Sequence, residues 1–251
     1  MSKLINFFYF LLKVLSKITG QSFSFSNDGE DFVLFKYLAK IKKGNYIDIG
    51  SHHPVKGSNT FLFYLLGWKG ICVDPLPSLK KKYRFLRKSD KFINAGVIGS
   101  NSKTQNNLKF YYYKKHTDNS TFDSKRVEEL NNKFGREPSS IISVPKISVS
   151  EILSYNKKYL IDNEELYLLN LDIEGFEIDI LDDFFSLNIY PWVVCVEEIG
   201  HTAETLKSGD VYQLMKKKGY MLGSRTFLSS VYILKNKLSY LPSPYIKELV
   251  I

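Results

Sequence analysis

Cysteine is scarce in this chain, with only Cys72 and Cys195 among 251 residues. Each lies within a predicted apolar strand, which indicates a reduced, buried packing residue of a cytoplasmic protein rather than half of a disulfide. No zinc-ligand spacing and no nucleic-acid-binding module is recognisable, so nucleic acid is not expected as a partner. The pattern G-x-G-x-x-G is also missing, which disfavours a site for a dinucleotide pyrophosphate.

The N-terminus lacks a hydrophobic run long enough to span a membrane. Leu4–Leu12 is strongly apolar and has Lys3, Lys13 and Lys17 around it, but a spanning helix needs about 20 apolar residues. No Ala-x-Ala-like cleavage site follows, so a cleaved signal peptide is the least favoured interpretation. We expect a helix within residues 1–20 that docks on the domain, mediates a homodimer or lies at the inner membrane surface.

Hydrophobic residues make up 44% of the chain, including 18 Phe and 17 Tyr. This composition predicts a globular protein with one sizeable core. The formal net charge is +9, and much of it lies in the Lys-rich runs 80–82, 114–115 and 216–218. These runs either belong to a solvated surface or attract phosphorylated substrates, polyanions or an anionic membrane.

Short apolar runs alternate with helical patterns along most of the chain. Strands are predicted at Tyr46–Ile49, Gly70–Val73 and Phe92–Ile98, and again at Leu166–Leu171 and Trp192–Val196. The intervening segments are long enough for parallel crossovers, and two short final strands are expected to form an antiparallel hairpin. The pattern therefore predicts an α/β fold with a mostly parallel central sheet and a C-terminal antiparallel strand.

The segment 100–165 breaks this alternation between the third and fourth strands. No Pro- or Gly-rich linker isolates it, so we interpret it as an insertion that covers the substrate side. The expected organisation is the N-terminal helix within residues 1–20, followed by a single domain over residues 21–251.

Acidic residues follow four of the predicted strands: Asp48, Asp74, Asp172 and the pair Glu197–Glu198. In an open α/β sheet, ligands bind outside the carboxyl ends of the strands. The carboxylate of Asp74 suits a hydrogen-bonded pair of ribose hydroxyls, because its oxygens are acceptors. Gly50 is expected to let the backbone approach a ligand closely. A small adenosine-containing cofactor is therefore the first hypothesis.

Several short segments resemble the FkbM-type family of S-adenosylmethionine-dependent methyltransferases, in the family's order, between about residues 24 and 235. They are Gly29–Asp31, Tyr46–Pro54, Ser58–Thr60, Gly67–Gly70 with Val73–Pro75, and Leu171–Glu177. The resemblance implies a Rossmann-like class I methyltransferase fold and S-adenosyl-L-methionine as cofactor. It implies cofactor contacts from Glu30, Asp48, Gly50, Ser51, Asn59, Thr60, Asp74, Asn94 and Asp172.

Methyl transfer to a hydroxyl needs a general base or a metal, because a sugar hydroxyl is a poor acid. The candidate catalytic residues are Asp172, His53, His52, Glu174 and Glu198. A divalent site for Mn²⁺ or Mg²⁺ is a second possibility, with Asp172, Glu197, Glu198 and His201 as ligands. The alternative is that these acids orient substrate hydroxyls or the ammonium group of the cofactor without a metal.

The insertion supplies further candidates for substrate binding. His116 and the segment 118–121 are either a substrate lid or a plain surface loop. Lys114, Lys115 and Arg126 are candidates for contacts with a substrate phosphate.

The leading functional hypothesis is O-methylation of a sugar hydroxyl. The resemblance implies polysaccharide or natural-product tailoring, so the expected substrate is a phosphorylated nucleotide sugar or a phosphorylated glycan of a bacterial capsule or lipopolysaccharide. The alternatives are N-methylation of an amine or amide, and a non-catalytic module that binds the cofactor. We expect the protein in the cytoplasm or at the inner face of the membrane.

Overall fold

The computed structural model describes residues 11, 14, 17–20, 23–100, 107–155, 165–173, 175–199, 201–202 and 204–241. Most of the predicted N-terminal helix and the candidate catalytic residue Glu174 lie outside the described residues. Of the N-terminal segment, residues 11, 14 and 17–19 are helical, and Leu11 and Ile18 are exposed. No helix in these ranges combines the length and apolar character that crossing a membrane requires.

In the described part of the chain, the central sheet contains seven strands: β1 Asn45–Ile49, β2 Lys69–Val73, β3 Lys91–Ile93, β7 Leu168–Leu171, β8 Val193–Glu197, β9 Tyr220–Arg225 and β10 Ser229–Leu234. Their spatial order is β3-β2-β1-β7-β8-β10-β9. Strands β1, β2, β3, β7 and β8 pair in parallel, whereas β10 runs antiparallel to both β8 and β9. The predicted mostly parallel sheet with a C-terminal antiparallel strand is confirmed.

The central strands of this sheet are buried on both sides, because helices cover both faces of the sheet. Successive side chains of a strand point to opposite faces, so Tyr46 belongs to one core cluster while Ile47 and Ile49 belong to the other. The Tyr46 face packs against α1 Glu30–Leu38, α2 Phe61–Leu65 and α3 Leu79–Leu86, and the opposite face against α5 Val149–Ser154, α6 Glu177–Ser186 and α7 Asp210–Lys217.

The predicted third strand, Phe92–Ile98, is divided in the structure. Strand β3 ends at Ile93, and the chain turns because the Ala95 amide and the Asn94 side chain both donate to the Asp74 carbonyl, at 3.2 and 2.9 Å. The following residues form β4 Gly96–Val97 in a second sheet of order β4-β6-β5, which contains β5 Asn107–Tyr112 and β6 Ser140–Ile147. This small sheet, a 3₁₀ turn at Thr117–Asn119 and α4 Ser124–Phe134 lie largely within the region predicted as an insertion. The domain limits at residues 20 and 21 stay a prediction.

Candidate functional site

A cavity of about 610 Å³ opens at the carboxyl ends of β1, β2, β7 and β8. The small sheet and the 3₁₀ turn form its other wall, through residues such as Phe110, Thr117 and Phe122. Its volume is in the range of small-molecule sites. The predicted residues that line it are Asp48, Gly50, Ser51, His52, His53, Asn59, Asp74, Asp172 and Glu197.

Asp74 follows β2, and backbone amides hold its carboxylate in place. One oxygen accepts from the Leu76 amide at 2.8 Å and the other from the His52 amide at 2.9 Å. Burial raises the pKa of Asp74 to about 7, although both backbone hydrogen bonds oppose that shift. Each carboxylate oxygen keeps further acceptor capacity, so Asp74 can still accept hydrogen bonds from a ligand in the cavity.

Gly50 ends β1 in a left-handed conformation with φ of 80°. A Cβ atom at this position would lie 1.8 Å from the carbonyl oxygen of Asp172. The glycine is therefore required by the close approach of the segment that follows β7, and not only by a ligand as the sequence suggested. The Gly50 and Ser51 amides both donate to the Val73 carbonyl, at 3.0 and 3.2 Å, so this turn ties three strand ends together.

Asp48 forms part of the cavity floor, and a buried polar network occupies its carboxylate. The Thr60 hydroxyl donates to one oxygen at 2.5 Å and the Asn170 amide group to the other at 2.9 Å. Asn59 in turn donates to Asn170 at 2.9 Å. Burial raises the pKa of Asp48, and the nearby Arg87 charge partly offsets that shift. The structure thus places Asp48 and Thr60 as supports of the floor.

Arg87 lies at the centre of this network and is only 1% exposed. Its guanidinium donates to Asp90 at 2.7 Å, to the Tyr46 hydroxyl at 2.7 Å and to the Thr60 hydroxyl at 3.0 Å. This role of Arg87 was not predicted from the sequence. The available signal was Asp90, an acid three residues further along the chain.

Asp172 and Glu197 form a pair of carboxyl groups on the cavity wall. Asp172 follows β7 and Glu197 ends the neighbouring parallel strand β8, in which Val196 aligns with Leu171, and the two side chains share a hydrogen bond. Desolvation, and then the charge of Glu197, raise the pKa of Asp172 well above its usual value. The Asp172 side chain remains accessible from the cavity. Because the two carboxyl groups interact, their protonation is linked and the pair titrates as a unit.

The two adjacent histidines have different surroundings. His52 adopts a positive φ of 40°, and its Nε2 lies 2.9 Å from the Thr117 hydroxyl in the 3₁₀ turn. Nδ1 of His53 accepts from the Val55 and Lys56 amides, at 3.2 and 3.1 Å. The neutral ring of His53 therefore carries its proton on Nε2 and has no free lone pair, and burial followed by the charge of Lys82 lowers its pKa. This geometry suits a hydrogen-bond donor and does not suit the predicted general base.

The predicted metal site is not assembled. Glu198 points away from Glu197 across the sheet, and it accepts from the buried Tyr232 hydroxyl at 2.8 Å. The His201 ring lies against Gly209. Among the residues that the structure describes, no group of three His, Cys, Asp or Glu side chains could hold a metal ion. The proposal of Asp172, Glu197, Glu198 and His201 as joint ligands, and of Glu198 as a catalytic residue at this cavity, is therefore corrected.

Other predicted residues lie beside the cavity rather than in its wall. Glu30 accepts from the Thr226 hydroxyl at 2.8 Å and the Asp28 amide at 3.0 Å, and Asn94 fixes the turn after β3. Of the predicted lid, Ser120 and Thr121 line the cavity, as does the neighbouring Thr117, while the three proposed phosphate contacts of the insertion, Lys114, Lys115 and Arg126, do not. Asn170 was not predicted from the sequence, although a lone amide in the run Leu168–Leu171 was a visible signal.

The family model for the methyltransferase FkbM domain matches residues 48–222 of the chain. The match covers all residues of the cavity wall except Asn27 and Leu228. Comparison with curated proteins and with solved structures gives no match.

Proposed function

The chain belongs to the FkbM methyltransferase family, and on that premise we propose that it transfers a methyl group from S-adenosyl-L-methionine to a sugar hydroxyl. One observation carries the proposal. A single cavity holds Asp74, which suits a ribose, and the Asp172–Glu197 carboxyl pair, which suits the uptake of a proton.

The residues at the inner end of the cavity fit the cofactor. Asp74 has acceptor capacity for the two ribose hydroxyls, and the buried Ser51 hydroxyl has no hydrogen-bond partner among the described residues. Asp48, Asp74, Asp172 and Glu197 all line the cavity, and the carboxylates among them that are ionised favour a ligand that carries a positive sulfonium and an ammonium group. When bound, the cofactor supplies an electrophilic methyl group.

The Asp172–Glu197 pair supports the assignment of the acceptor as a hydroxyl. A hydroxyl must lose its proton during methylation, whereas a neutral amine already offers a lone pair. A carboxyl pair with a raised pKa is a stronger base than an ordinary carboxylate, and it lies closer to the pH at which general bases are effective. We assign the uptake of the hydroxyl proton to this carboxyl pair, since the acceptor nitrogen of His53, Nδ1, is already occupied by two backbone amides.

The wall on the side of the small sheet supports a sugar as acceptor. Thr117, Ser120 and Thr121 line this wall, the Thr117 hydroxyl lies 2.9 Å from Nε2 of His52, and the Phe122 ring packs against Phe110 with centroids 4.7 Å apart. Hydroxyls bind polyols because they both donate and accept hydrogen bonds, and aromatic rings cover the apolar faces of sugars. Within the proposal, a nucleotide sugar or a glycan of a bacterial capsule or lipopolysaccharide is the substrate.

The test is cofactor turnover by the full chain against matched pairs of nucleotide sugars, one with a hydroxyl and one with an amino group at the same ring position. We expect demethylated cofactor only with the hydroxyl compounds. Glu197→Gln and Asp172→Asn should each lower kcat by about 10²- to 10⁴-fold, which is the range for loss of a general base. The control is Asp182→Asn, an equal change on the exposed face of α6.

Turnover with amino sugars alone would refute O-methylation. Cofactor binding without turnover of any acceptor would favour the non-catalytic alternative. Full activity in both Glu197→Gln and Asp172→Asn would remove the carboxyl pair from the mechanism.

A further inference from the structure

The mouth of the cavity carries charge opposite to that of its inner end. Lys56 lines the cavity together with His52 and His53, and Lys82 is close enough to influence the titration of His53. In the described part of the chain, neither Lys56 nor Lys82 forms an ion pair with a carboxylate. Two unpaired ammonium groups therefore lie near one hydrogen-bond donor.

The loop that carries these groups is fixed by its own hydrogen bonds. Because Nδ1 of His53 accepts from the Lys56 amide at 3.1 Å, the backbone of Lys56 cannot move independently of the imidazole. Pro54 is buried between them, and the Ser58 amide donates to the Phe25 carbonyl at 3.1 Å where the loop ends. The Nε2–H of His53 and the Lys56 side chain thus start from a preorganised backbone, which lowers the entropic cost of binding a shared ligand.

We propose that His53, Lys56 and Lys82 form a binding subsite for an oxyanion, a phosphate or carboxylate group, that the acceptor substrate carries. The inference rests on the proposed function, because it assigns the ligand of this subsite to the acceptor of the methyl group. Oxyanions bind where N–H donors and ammonium groups converge, since charge-assisted hydrogen bonds are the strong ones. The acids at the inner end of the cavity would repel such a group, which places it at the mouth.

The subsite also gives His53 a role that its geometry allows. A histidine whose acceptor nitrogen is occupied can donate through Nε2 without changing its protonation state. A neutral donor beside Lys56 binds an anion without adding a further positive charge there. The lowered pKa of His53 is consistent with that neutral state.

The experiment measures the binding of inorganic pyrophosphate and of glucuronate to the full chain by calorimetry at low ionic strength. The variants are Lys56→Gln, Lys82→Gln, the double variant and His53→Asn. The side-chain oxygen of asparagine can accept from the Val55 and Lys56 amides, as Nδ1 of His53 does. Asparagine has no N–H group at the position of Nε2, however, so it lacks the donor proposed to contact the anion. The control is Lys69→Gln, an equal loss of charge at an exposed position on the opposite end of β2.

We expect the double variant to bind the preferred anion at least about tenfold more weakly, and each single variant about threefold to tenfold more weakly, as for partly exposed charge-assisted contacts. Lys69→Gln should stay within about twofold of the wild type, because surface charges beyond a Debye length are screened. Preference for pyrophosphate would identify a phosphorylated acceptor, and preference for glucuronate an acidic sugar. Either preference, with this dependence on the variants, supports the subsite.

The proposal is overturned if neither anion binds the wild type, if the double variant binds as the wild type does, or if Lys69→Gln weakens binding equally. The binding of S-adenosylhomocysteine is measured on the same samples. If that ligand fails to bind while the anion binding depends on Lys56 and Lys82, the proposed function fails and the anion subsite stands.

Discussion

Replacing Asp74 with asparagine is expected to change stability and cofactor binding in opposite directions. Burial raises the pKa of Asp74 from its usual 3.8 to about 7, so between these pH values the folded protein holds a proton that the unfolded chain has released. The protonated carboxyl therefore stabilises the fold fully below pH 3.8, and this stabilisation is lost as the pH rises through about 7.

The size of the effect follows from the two pKa values. Each pH unit between them removes about 1.4 kcal/mol of stability. From pH 5 to pH 8 the wild type should lose roughly 2 to 3 kcal/mol relative to Asp74→Asn, because asparagine does not titrate. Other buried acids titrate in both proteins, so the difference between them isolates Asp74.

Cofactor binding should respond in the other direction. Ribose hydroxyls donate to the carboxylate, so binding favours its ionised form, and the wild type should bind about tenfold more weakly at pH 6 than at pH 8. Asp74→Asn should bind about 10- to 100-fold more weakly than the wild type at pH 8, which is the cost of losing a charged hydrogen-bond partner. Its affinity should depend less on pH.

Urea denaturation at pH 5, 6, 7 and 8 measures the first effect, and calorimetry with S-adenosylhomocysteine measures the second. The control is Asp182→Asn, which removes an exposed carboxylate on α6 and should leave both pH profiles unchanged. A stability difference between wild type and Asp74→Asn that is constant over this range would show that Asp74 is ionised throughout. Unchanged affinity in the variant at pH 8 would refute the ribose assignment.

Three further changes test the support of the site and the N-terminal segment. Gly50→Ala should destabilise the fold and abolish cofactor binding, because its Cβ would lie 1.8 Å from a backbone oxygen. The control Gly67→Ala meets no neighbouring atom and should cost only the backbone strain of about 1 kcal/mol. Similar losses of stability for the two variants in urea denaturation would contradict this contrast. Arg87→Met should cost about 3–5 kcal/mol by leaving buried carboxylates without their cation, while the exposed Arg84→Met on the same helix should change stability by less than about 0.5 kcal/mol. Deletion of residues 1–19 should release the protein from vesicles with anionic lipid in a flotation assay if that segment contacts the membrane, and a full-length protein that never floats would favour packing or dimerisation.

The strands and the position of the site were predictable because they depend on local patterns. Strands β1, β2, β7 and β8 are apolar runs that end at polar residues, and parallel topology brings their carboxyl ends to one edge of the sheet. The same patterns do not say which side chains meet across the sheet. The contact of Asp48 with Thr60 and Asn170 depends on how α2 packs and on the pairing of β1 with β7.

Two predictions failed for reasons that are visible in retrospect. Glu197 and Glu198 were treated as one acidic group, but consecutive residues of a strand face opposite sides, so only Glu197 reaches Asp172. The run Phe92–Ile98 looked like one strand because its hydrophobicity is continuous. Hydrogen bonds of Asn94 and Ala95 to Asp74 instead turn the chain after β3, and a tertiary contact of this kind leaves no periodic signal in the sequence.

The floor and the mouth of the cavity are held together by different means, and this difference predicts where selectivity can change. Both oxygens of Asp48 are occupied, and the network continues to a fully buried Arg87, so changes at the floor alter stability together with cofactor binding. The mouth consists of loop segments. A contact of 2.9 Å between Nε2 of His52 and the Thr117 hydroxyl joins two of them. Ser120 and Thr121 also line the cavity, and their hydroxyls accept from the Tyr113 and Asp123 amides rather than from the network of Asp48 and Arg87. Substitutions at these two residues should therefore change the choice of acceptor while the affinity for S-adenosylhomocysteine stays within about twofold, because residues without shared partners act nearly independently.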